Sequence, residues 1–149
     1  MADYSIEGNR TASATLGVWD WLSDVTRPRK LQLMEWNFGS EASPADNAFL
    51  WQILRVTAIG AQAGGAVTPV SLGDAEAATE SDTLENLSTN PTVGSVLLSI
   101  PLNQRATNRW VAQPGVDVLS PATASNCYIC ETPTMTGVAI TSTVIVREH

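Results

Sequence analysis

At 149 residues the chain suffices for one domain that buries most of its apolar surface without disulfides or a structural metal. Hydrophobic residues reach 44% and charged ones only 15%, against roughly a quarter in an average soluble domain. A net charge of -7, one lysine (Lys30) and no apolar run of 18 residues speak against both nucleic acid and a membrane as partners.

The first residues, Met1-Ala2-Asp3-Tyr4, lack the basic and apolar regions of a secretory leader, so synthesis and maturation in a reducing cytoplasm are expected. Tyr4 and Ile6 stand two apart, and an extended segment presents both on one face. Residues 1–12 read either as an attachment arm or as a first edge strand. In the arm reading Tyr4, Ile6 and Arg10 are the candidate partner-binding residues, adding to a sheet edge on another protein. Residues 13–149 read as a single β-sandwich domain.

Short extended runs separated by turn residues follow, the pattern of an all-β, antiparallel sandwich of eight or nine strands. They lie at 13–22, 30–38, 49–58, 67–72, 93–102, 108–113, 115–119, 127–132 and 137–147. The last is the clearest: Val138, Ile140, Val144 and Val146 share one face, interrupted only by Ser142. Two others carry apolar residues on both faces. Met34, Trp36 and Phe38 oppose Leu31 and Leu33, while Phe49, Trp51 and Ile53 oppose Leu50, Leu54 and Val56. That pattern predicts a second face covered by loops or by a neighbouring subunit.

Ser43-Pro44-Ala45-Asp46 has the form of a helix start and predicts one short helical turn near Pro44. Residues 73–90 hold Asp74, Glu76, Glu80, Asp82 and Glu85 and read as a solvated acidic loop; calcium-loop spacing is absent. The basic cluster Arg27, Arg29 and Lys30 around Pro28 reads as charges flanking a turn.

No catalytic constellation is found. The single histidine is the terminal His149, which removes Ser-His-Asp, Cys-His and histidine-zinc arrangements. Cys127 and Cys130 match C-x-x-C in letters, but on a strand their side chains diverge, so buried free thiols are expected. No metal and no cofactor are expected. Five tryptophans (Trp19, Trp21, Trp36, Trp51, Trp110) read as packing residues, with a carbohydrate- or host-surface-binding module as the rival and a small hydrolase using two carboxylates as the enzyme alternative.

Three stretches carry a resemblance. They are Ser43-Pro44-Ala45-Asp46-Asn47-Ala48-Phe49-Leu50-Trp51-Gln52, then Leu98-Ser99-Ile100-Pro101-Leu102-Asn103-Gln104-Arg105-Ala106-Thr107-Asn108-Arg109-Trp110-Val111-Ala112, and Pro121-Ala122-Thr123-Ala124-Ser125-Asn126. Together they resemble small virion proteins of tailed bacteriophages, the head decoration or cement proteins, from about Lys30 to the C-terminus. The resemblance implies a jelly-roll sandwich, a homotrimer, and a seat on the capsid surface against the major capsid protein. A head-tail connector or tail component is the rival within the virion.

Overall fold

The computed structural model describes residues 1–73, 79 and 81–149. Their secondary structure is β throughout. In chain order the strands are β1 (Ala2–Thr11), β2 (Trp19–Ser23), β3 (Leu31–Ala42), β4 (Ala48–Ala58), β5 (Ala63–Ala66) and β6 (Val70–Ser71). They continue with β7 (Ser81–Thr89), β8 (Thr92–Asn103), β9 (Thr107–Val111), β10 (Val118–Ser120), β11 (Cys127–Glu131) and β12 (Ala139–Glu148). Two six-stranded sheets pack face to face as a sandwich. The first runs β10-β3-β12-β1-β6, with β9 also paired to β3; the second runs β5-β7-β2-β11-β4-β8. The pairings are antiparallel.

The first sheet follows the alternation of its sequence. Ile140, Ser142, Val144 and Val146 of β12 point inward and are buried, beside Tyr4 and Ile6 of β1. Ser142, the polar interruption of that face, has a reason. Its Oγ accepts the indole N–H of Trp19 and of Trp36, each at 2.9 Å, and so satisfies one donor from each sheet. Tyr128 of β11 makes a second link, its hydroxyl lying 2.9 and 2.8 Å from the Leu31 and Val118 carbonyl oxygens across the core. Around these bonds Trp36, Phe38, Phe49 and Trp51 pack with centroids 4.0 to 6.3 Å apart, in the tilted and edge-on arrangements that aromatic quadrupoles favour.

The apolar residues on both faces of β3 have a different origin from the one expected. Val146 pairs with Leu33 but Ile145 with Glu35, so Met34 is an extra residue, a β-bulge. The bulge moves the later residues to the other parity, and Leu31, Leu33, Trp36 and Phe38 all reach the same core. In β4 the second face is real, but the chain itself covers it: Leu54 and Val56 are 7% and 0% exposed.

Three expectations are corrected. There is no helical turn near Pro44. Ser43 takes a left-handed φ of 51°, the Ala45 N–H donates to Gln104 Oε1 at 2.8 Å, and Asp46 Oδ1 accepts from Asn103 Nδ2 at 2.8 Å. The groups that would have capped a helix are instead held by the far end of β8. The run at 13–22 is a loop up to Val18 and a strand only from Trp19. In the acidic segment, residues 81–89 form β7, an interior strand of the second sheet, with Ser81, Thr83 and Leu87 buried. Its buried face carries hydroxyls, and these find acceptors: Ser81 Oγ donates to Glu148 Oε1 and Thr83 Oγ1 to the Val67 carbonyl. Asp74, Glu76 and Glu80 lie outside the described residues.

Candidate interaction surface

Of the two readings of residues 1–12, the structure shows the strand. β1 pairs with β12 over ten residues, from Ala2 opposite Glu148 to Thr11 opposite Ala139, and is flanked on its other side by the two-residue β6. Tyr4 and Ile6 are each 3% exposed, so the side chains proposed for a partner belong to the core. The Arg10 guanidinium donates to the Gly17 and Leu87 carbonyl oxygens, stapling β1 to the second sheet, and its half-burial lowers its pKa. Tyr4 and Ile6 are thus closed to a partner in this fold, and the Arg10 side chain, partly exposed, is bonded to carbonyl oxygens of its own chain.

The outer face of the first sheet is polar and carries two arginine–carboxylate pairs. Arg109 Nε and Nη2 grip the Glu35 carboxylate at 2.7 and 2.6 Å. This grip, aided by the Asn37 amide, holds the Glu35 pKa down to about 2. Arg147 holds Asp3 in the same two-point manner at 2.7 and 2.9 Å and lowers its pKa. Between β9 and β12 lies a cleft of about 350 Å³ floored by Gly39, with Thr107 and Arg109 on one wall and Thr141 and Thr143 on the other. Gly39 is required by β9, since a Cβ there would meet Thr107 Cγ2 at 2.7 Å.

The second sheet buries an acid. Asp20, on β2, is 0% exposed; its Oδ1 accepts the Leu84 N–H at 3.2 Å, while Oδ2 has no hydrogen-bond partner among the described residues. Loss of solvent, opposed by the Leu84 bond and helped by the nearby Asp82, raises its pKa to about 7. Cys127 and Cys130 are buried free thiols, both pushed up by burial, with Cys130 Sγ 3.9 Å from Ser142 Oγ. Low thiolate content and burial leave neither suited to nucleophilic chemistry. Among the described residues no three His, Cys, Asp or Glu side chains group as a metal site, and no helix is long and apolar enough to cross a membrane.

The tryptophans are placed as packing residues: Trp19, Trp21, Trp36 and Trp51 are 0% exposed and Trp110 is half-buried. Two of the three stretches that carry the resemblance meet. Ala48 through Gln52 pair with Asn103 through Ser99, and the Gln104 N–H donates to the Asn47 carbonyl. The resulting corner exposes Pro101 beside Leu50 and Thr134 around a hollow of about 210 Å³. Sequence reasoning passed over the outer edges of the second sheet, although the signal was present as long stretches without a charged residue.

Compared with protein-family models, curated proteins and solved structures, the chain matches none.

Proposed function

We propose that this protein is a structural component of a bacteriophage virion, a decoration or cement protein that seats on the outer head surface. It binds the major capsid protein, self-associates, and holds neighbouring capsomers together. The jelly-roll winding and the homotrimer belong to the same proposal. The observation that carries it is the corner formed by residues 43–52 and 98–105: stretches that resemble decoration proteins converge, though far apart in sequence, on one hydrogen-bonded and partly exposed site. A sandwich with twelve strands among the described residues and four of its five indoles locked in the core is also a stiff body, as a mechanical clamp requires.

The carbohydrate-binding rival loses its platform, because four of the five indole rings are inaccessible to a sugar. The test is to mix the purified chain with bare phage heads, sediment them, and image the pellet by electron microscopy. Stoichiometric co-sedimentation with regular density on the outer shell is expected. Absence of binding at micromolar concentration would overturn the proposal. Density confined to the portal vertex would replace it with the connector or tail reading.

A further inference from the structure

The two longest runs of this sequence without Asp, Glu, Lys or Arg are residues 56–73 and 86–104. The fold places them at opposite edges of the same sheet, β5 at one end and β8 at the other. All four residues of β5 are exposed; on β8, Val93 is 39% and Val96 48% exposed, and Ile59 beyond the end of β4 is 37% exposed. Among the described residues β5 pairs only with β7, and β8 only with β4. Each strand therefore presents a row of unpaired N–H and C=O groups on its outer side. In a chain of net charge -7, two copies meet with least repulsion where neither carries charge.

We propose that copies of this chain join edge to edge through the second sheet, β8 of one copy against β5 of the next. This inference rests on the self-association in the reading above. The contact uses different surfaces on its two sides, so it either closes into a ring or runs on as a fibre. β8 carries the features that keep it finite. Ile53 pairs with Leu98 but Leu54 with Val96, so Leu97 is a bulge that breaks the ladder. The Leu50 N–H donates to Thr134 Oγ1 rather than toward β8, so at the Leu50–Pro101 pair the backbone groups face away from each other. The N–H that Pro101 lacks therefore falls on the open edge. What remains is a short ladder backed by the valine side chains, suited to a small ring and poor for indefinite strand addition.

The experiment places a negative charge on one edge and a positive charge on the other in the full chain. Val96→Glu alters β8 and Ala63→Lys alters β5, both at exposed positions. Light scattering should give the wild type about three times 15.8 kDa, and each single variant a threefold lower mass with unchanged circular dichroism. The double variant, with both substitutions in one chain, should regain the wild-type mass, because every β8–β5 contact of the ring then sets the introduced carboxylate against the introduced ammonium. If a variant loses its fold, Thr92→Lys and Gly65→Glu replace it; a Cβ at Gly65 has its nearest neighbour at 3.6 Å. Two single variants that keep the wild-type mass would overturn the edge contact and leave self-association standing. Dissociation by Val96→Glu but not by Ala63→Lys would overturn it in favour of β8 pairing with itself. A monomeric wild type would overturn both the contact and self-association, with head binding decided separately by sedimentation.

Discussion

The two sheets treat buried polarity in opposite ways. At the centre of the first, Ser142 sits in the aromatic core with both indole donors in reach, and on its outer face Glu35 and Asp3 are clasped by Arg109 and Arg147. At the centre of the second, Asp20 has one oxygen served and one not, and burial holds it near neutrality as an acid. A hydroxyl is a small group whose desolvation two donors can offset, whereas a carboxylate needs several donors or a cation to remain charged. The first sheet gains specificity from its polar centre, and the second carries a pH-dependent weakness in its own.

The largest test of this contrast removes part of the first sheet outright. Deleting residues 1–9 takes most of a ten-residue ladder together with the buried Tyr4 and Ile6. The truncated chain should lack a cooperative melting transition and dispersed amide resonances, since a domain's whole stability is only about 5–15 kcal/mol. A truncated chain that melts like the full one would mean β1 is a detachable arm after all.

Smaller in effect is Ser142→Ala. It leaves two buried indole N–H groups without their acceptor, and at about 1–3 kcal/mol for each the expected loss is about 2–6 kcal/mol in urea unfolding. A loss under about 1 kcal/mol would show that water or a neighbour replaces the hydroxyl.

The third test addresses the second sheet and depends on pH. The folded pKa of Asp20 is raised from 3.8 to about 7, so the protonated acid stabilises the fold fully below pH 3.8. That contribution is lost as pH rises through about 7. Asp20→Asn cannot ionise, so its unfolding midpoint should change less than the wild type's between pH 5 and pH 8, with the variant the more stable at pH 8. Parallel pH profiles for the two proteins would sink the assignment of a buried acid at Asp20.

Much of the fold was legible in the sequence because period-2 alternation of β-branched residues has one physical meaning. The strands at 30–38, 49–58, 93–102, 108–113, 127–132 and 137–147 were found to within a few residues of their observed bounds, because one face of each carries large apolar side chains. Strand β7 was missed for the complementary reason: its buried positions Ser81 and Thr83 are hydroxyls, invisible to a hydrophobic pattern until Glu148 and the Val67 carbonyl supply acceptors. The candidate residues Tyr4, Ile6 and Arg10 were rightly seen as one extended segment, but spacing alone says nothing about what the segment pairs with.

By itself the sequence determined the β class, the deficit of charge and the two charge-free runs, since these are properties of composition and local order. Tertiary structure decided which partner each strand took. It set β1 against β12, folded the cap-like residues near Pro44 onto Asn103 and Gln104, and used a bulge at Met34 to turn two apparent faces into one. It also carried the two charge-free runs to opposite edges of one sheet. Strand partners are chosen by contacts between residues distant in the chain, where hydrogen-bond satisfaction and core packing outweigh local preference.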